Sequence, residues 1–180
     1  MNTYFTVLLL SFLLCLAPKQ ILAESSDSYF NVKYIDNYDG DSISFDIPDA
    51  PAIVGKDMVV RLLGVDTPEL KNSKCEEERK RALLAKNRVH SLLRDAKVIN
   101  LHHAGRGKYF RILADIEFDG QDLATILLDE ELAVPYFGGT RNHNWCSNKY
   151  PKVQSEKPSP AILPPVVNGV YVWPPPPEQE

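Results

Sequence analysis

The stretch VRLLGVDTPE, Val60 to Glu69, sets an arginine inside an apolar run and follows it with two carboxylates, Asp66 and Glu69. Arg61 in a half-buried strand must meet an anion, because an unpaired buried charge costs several kcal/mol. Pro68 ends the strand and restrains Thr67 to an extended backbone, so Asp66, the Thr67 carbonyl and Glu69 share a defined loop. Carboxylates beside a fixed guanidinium suit a hard cation and an anionic substrate. A third carboxylate belongs with them. In the strand after the turn DNYDG, Asp41 alternates in phase with Ile43, Phe45 and Ile47, which puts it on the core side at the strand's open end, where it too needs a counter-charge. The turn is not an EF-hand loop: its glycine is out of register and the closing glutamate is missing.

The elements that hold these groups read as a small α+β unit. Phe30 to Ile35 alternates as a first strand, and Asp41 to Ile47 forms a hairpin with it across Asp36 to Gly40. Pro48 to Asp57 reads as a loop and Met58 to Val65 as a central strand, apolar on both faces except for Arg61. From Cys75 to Ala96 the period becomes helical, with Ala82, Ala85, Val89, Leu92 and Ala96 on one face and basic residues between them. Lys97 to His102 is a fourth strand, residues 104–107 a turn, and Lys108 to Phe118 a fifth strand with Arg111 off the core at its start. A short helix follows over Leu123 to Glu131. Five strands with a helix after the third describe a partly open barrel of the OB type with two to three helices, an architecture that binds oligonucleotides on one face.

The termini differ from this middle. Tyr4 to Ala17 is an apolar run too short for a comfortable membrane span, and Ala23 precedes polar Glu24-Ser25-Ser26. The expectation is an export signal over residues 1–23, with a retained membrane anchor as the alternative and no stable membrane insertion once the signal is gone. The folded domain then spans 28–148. Residues 149–180 form a Pro-rich tail, expected to be disordered or extended, because nine prolines after position 150 remove backbone donors and area that a core needs. Without the signal, Cys75 and Cys146 remain, an even pair that in an exported chain favours a disulfide, two buried free thiols being the alternative. No Cys/His spacing suggests zinc. The chain carries a net charge of −4, yet between Lys71 and Arg111 twelve basic residues face four acidic ones, a local +8 able to attract phosphate.

With these residues in place, the chain from about Phe30 to Tyr136 resembles the staphylococcal nuclease (thermonuclease) family. Three separate motifs carry the likeness, in the family's order: DGDS at Asp39 to Ser42, VRLLGVDTPE at Val60 to Glu69, and KYFR at Lys108 to Arg111, where Phe110 stands in place of the usual glycine. The resemblance implies calcium-dependent hydrolysis of phosphodiester bonds in DNA and RNA by a monomer. It implies Asp41, Asp66 and the Thr67 carbonyl as calcium ligands, and Arg61 and Arg111 on the scissile phosphate. Glu69 would position or deprotonate the attacking water, with Lys108, Tyr109 and Tyr136 at the substrate. The alternative is a catalytically silent nucleic-acid-binding barrel, which would be expected to have lost some of Asp41, Arg61, Asp66, Glu69 or Arg111, and none is lost.

Overall fold

A computed structural model describes residues 27–48 and 50–147, except for the Lys108 side chain, together with the backbone of Val166–Val167 and Val170–Tyr171 in the tail. The expected export signal, residues 1–23, and most of the tail lie outside the described residues. Strands β1 (Lys33–Asn37) and β2 (Ser42–Asp46) form an antiparallel hairpin, and β3 (Met58–Leu62) lies antiparallel to β2 with Ser42 opposite Arg61. Between them is a single helical turn, α1 (Ala52–Gly55), inside the segment that reads as a loop. A two-residue strand β4 (Val65–Asp66) follows β3 after Gly64, whose φ of +78° belongs to the left-handed region. Helix α2 (Glu76–Arg94) leads into β5 (Ile99–Arg106), β6 (Ile112–Phe118), β7 (Gln121–Asp122), helix α3 (Leu123–Asp129) and β8 (Val134–Pro135).

The sheet order β1-β2-β3-β6-β5 contains a parallel pair, β3 with β6, among antiparallel neighbours. Its outer edges approach each other: Tyr29 bridges Leu101, and the Val32 N–H donates to the Ile99 carbonyl at 2.9 Å. The chain before β1 therefore covers the open edge of β5, and the sheet wraps around Ile43, Phe45, Val60, Leu62, Leu101 and Ile116, each at most 1% exposed. Helix α2 closes one side with Ala82, Ala85, Val89 and Leu93, all buried. In the tail, β9 (Val166–Val167) and β10 (Val170–Tyr171) pair with each other, and β10 runs parallel to β5 at Arg106.

Several boundaries move from the sequence reading. Strand β1 starts at Lys33 rather than Phe30, and β5 runs on to Arg106 because a register shift between His102 and Gly105 lets it continue through the expected turn. Lys108–Phe110 is a 3-10 turn rather than strand, so Arg111 sits just ahead of β6. Leu93, not Leu92, completes the buried helix face. The expected inside-outside alternation of β6 fails: Leu113 and Asp115 are buried along with Ile112, Ala114 and Ile116, so this central strand is covered on both faces.

Candidate active site

Arg61 sits on the last turn-ward stretch of β3, 7% exposed, and satisfies the demand for an anion twice. Its Nη1 lies 2.8 Å from Asp41 Oδ1 and its Nη2 3.0 Å from Asp66 Oδ1. Asp41 is delivered by the turn before β2, which Asp39 shapes by accepting the backbone N–H of Asp41 at 3.1 Å and of Ser42 at 2.8 Å. Gly40 in that turn allows close packing, since a Cβ there would fall 2.8 Å from Thr67 Cγ2 and 2.9 Å from Ala85 Cβ. Asp66 is delivered by β4, held against Val134 of β8. The Thr67 N–H donates to Asp41 Oδ2 at 3.2 Å, so the DGDS turn and the VDTPE loop meet in one cluster.

Burial dominates the electrostatics. It pushes the Asp41 carboxyl up to about 7, with Arg61 acting in the opposite direction and Asp39 and Asp66 reinforcing the rise. Asp66 is likewise raised by burial against the lowering influence of Arg141 and Arg61. One guanidinium thus serves two enclosed carboxylates, and the site favours additional positive charge.

Glu69 lies where the loop leaves the cluster. The loop's far end is fixed by the start of α2: the Glu78 N–H donates to the Cys75 sulfur at 3.3 Å while the Glu78 carboxylate accepts the Lys74 N–H at 2.6 Å, a reciprocal arrangement close to a capping box. Glu78 is 4% exposed, a buried acid whose partners are these loop amides. Cys75 is joined to Cys146, with Cα atoms 6.0 Å apart. Cys75, Glu78 and Cys146 bring potential metal-binding atoms together, but both sulfurs are committed to the disulfide.

Arg111 and Tyr109 share a cleft of about 280 Å³ with Arg61 and Tyr136. The loop bearing them is closed by the Gly107 N–H donating to the Arg111 carbonyl at 2.8 Å. Tyr109 and Phe110 both adopt φ of +60°, and their rings stand 95% and 82% exposed at the edge of this loop. The Tyr136 ring stacks over Arg61, 5.8 Å from ring centroid to guanidinium carbon, and its N–H donates to the Gly64 carbonyl at 2.9 Å. The Lys108 side chain lies outside the described residues.

Arg141 is the residue that sequence reasoning missed. It reaches the cluster from the irregular segment after β8: its Nε lies 3.1 Å from Asp66 Oδ1 and its Nη1 donates to Glu69 Oε1. Burial opposes its charge, but Glu69, Asp66 and Asp41 together hold it above its ordinary value. No motif marks it. The available signal is positional: it stands between Tyr136, expected at the substrate, and Cys146, expected to pair with Cys75 just beyond the Glu69 loop.

The donor set fits a hard divalent cation. Asp41 and Asp66 offer buried carboxylate oxygens, and the neighbouring Thr67 hydroxyl is buried without a hydrogen-bond partner among the described residues. Three carboxylates, Asp41, Asp66 and Glu69, are met by two guanidiniums, Arg61 and Arg141. Together with the cationic cleft, this arrangement can hold a phosphodiester beside a cation and a carboxylate base. A family model described as Staphylococcal nuclease homologue matches residues 59–157, which takes in Arg61, Asp66, Glu69, Arg111 and Arg141 but begins after Asp41. No curated protein matches the chain.

Proposed function

This chain belongs to the staphylococcal nuclease family, and from that premise we propose that it is a calcium-dependent phosphodiesterase that hydrolyses DNA and RNA outside the cytoplasm, working as a monomer. The observation that carries the reading is the ion-pair cluster Asp41–Arg61–Asp66, opening onto a cleft that also holds Arg111, with Glu69 at its edge.

Asp41, Asp66 and Thr67 are the residues to hold calcium, a cation that tolerates an irregular set of oxygen ligands. When bound, calcium supplies Lewis-acid polarisation of a phosphate oxygen. Arg61 and Arg111 face one cleft and grip the same phosphate, offsetting charge that builds on its oxygens as the bond to the leaving group breaks. Arg61 is preorganised for this: Asp41 and Asp66 fix its guanidinium plane while protons remain for a ligand. Glu69, partly exposed at the cluster's rim, takes the proton of the attacking water. Tyr109 and Tyr136 line the cleft and bear on the substrate on either side of that phosphate, with Lys108 next to Tyr109 in sequence.

The purified protein, incubated with plasmid DNA and with RNA, should cleave both in calcium and neither in excess chelator. Glu69→Gln and Arg111→Ala should each lower turnover by about two orders of magnitude with the fold intact. Full cleavage in chelator would refute the calcium dependence. Binding of nucleic acid without cleavage under any divalent cation would instead favour the silent binding barrel. Export is supported by the apolar run and Ala23 at the start of the chain; a natural protein retaining residues 1–23 on mass spectrometry would overturn it.

A further inference from the structure

The segment 136–147 is a strap across the mouth of the site. Tyr136 pins one end to Gly64, and at the other end Cys146 is bonded to Cys75, next to buried Trp145, whose ring meets His143 at 4.3 Å. Between these anchors Arg141 reaches Asp66 and Glu69, and it lies in the same cleft as Arg61 and Arg111.

The two guanidiniums on Asp66 are not equivalent. The Arg61 side chain is 8% exposed and locked between two carboxylates, whereas the Arg141 side chain is 39% exposed and is carried on chain that includes Gly138 and Gly139, both at positive φ. Both converge on the same oxygen, Asp66 Oδ1, at 3.0 and 3.1 Å. A divalent cation drawn to Asp66 repels both, and Arg141 is the one able to leave. Its second partner, Glu69, is the group that must be free to take a proton from water.

We propose that Arg141 is a resident counter-cation: in the free protein it neutralises Asp66 and Glu69, and on arrival of a divalent cation and nucleic acid it exchanges them for a substrate phosphate in the cleft. This rests on the nuclease reading. The exchange keeps the charge of the cluster nearly level: positive charge is present at Asp66 in both states, and Arg141 always has an anion. The disulfide keeps the strap's end beside α2, so that Arg141 moves over a short distance rather than being lost to solvent.

Calcium titration calorimetry on the purified protein without nucleic acid tests the first half. Arg141→Gln should bind calcium more tightly, on the order of tenfold, as expected from removing a unit charge a few Å from a dication, and Arg141→Lys should stay close to wild type. Steady-state cleavage of a single-stranded oligonucleotide tests the second half. Arg141→Gln should raise KM while kcat changes little, and the slope of log(kcat/KM) against log[salt] should become shallower by about 0.7, one phosphate contact on a single strand; Arg141→Lys should recover the slope. Calcium affinity that is unchanged or weakened in Arg141→Gln, or an unchanged KM and salt slope, overturns the inference and leaves the nuclease reading intact. A wild-type protein that cuts nothing brings down that reading and the phosphate exchange with it.

Discussion

Replacing Arg61 by glutamine removes the cation shared by Asp41 and Asp66 while keeping most of the side-chain volume. Both carboxylates are enclosed, with side chains 2% and 6% exposed, and their bonds to Arg61 are 2.8 and 3.0 Å. Asp66 retains Arg141, but Asp41 is left with the Thr67 N–H and the Ser42 hydroxyl, neither of which carries charge. Breaking a buried pair by deleting one partner costs about 3–5 kcal/mol. For a domain of this size that corresponds to a melting temperature lower by roughly 10–20 °C. The loss should depend on pH, because Asp41 already titrates near 7 and can escape as the neutral acid below it. Thermal unfolding followed by circular dichroism, in chelator, should therefore show a larger Arg61→Gln penalty at pH 8 than at pH 5. Calcium should return part of the stability at pH 8 by replacing the missing positive charge. A penalty at pH 8 below about 1 kcal/mol, the scale of an exposed ion pair, would show that the cluster is not the enclosed, coupled site described above. A penalty larger at pH 5 would refute the assignment of charge to Asp41.

In the wild-type protein the same carboxyl predicts a falling contribution to stability as pH rises. The folded value of about 7 lies above the ordinary 3.8, so between these values the native state holds the extra proton and the unfolded chain does not. The urea midpoint in chelator should decline across that window relative to an Asp41→Asn variant, and calcium should remove the decline. Converting Cys75 and Cys146 to serine opens a link spanning 71 positions and should cost about 2–4 kcal/mol, with activity lost on warming before the domain unfolds, since both the loop that carries Glu69 and the strap lose their shared anchor; simultaneous loss of activity and circular dichroism would contradict that order. Gly40→Ala forces a methyl against Thr67 and Ala85 and should destabilise by about 1–3 kcal/mol while weakening calcium binding, measured by denaturant titration and calorimetry.

Much of the site was legible because its parts are local. An arginine in an apolar strand demanded an anion, Pro68 marked the loop that carries Asp66 and Glu69, and the in-phase alternation of Asp41 with Ile43 and Phe45 placed a carboxylate on the core side. The helical period of Ala82, Ala85 and Val89 likewise named the face that α2 buries. These are statements about one segment and its solvent, and a one-dimensional pattern suffices for them. Which anions Arg61 meets, and which cation Glu69 meets, are decided by contacts between distant segments: Thr67 reaches Asp41 across 26 positions and Arg141 reaches Glu69 across 72. Apart from its place between Tyr136 and Cys146, nothing in the sequence around Arg141 distinguishes it from a solvated surface arginine, because its environment is made by β4, the loop that carries Glu69 and a disulfide that the strap meets only after folding. The burial of Leu113 and Asp115 has the same origin: what covers the two faces of β6 is brought there by other segments of the chain, and no periodicity within the strand encodes them.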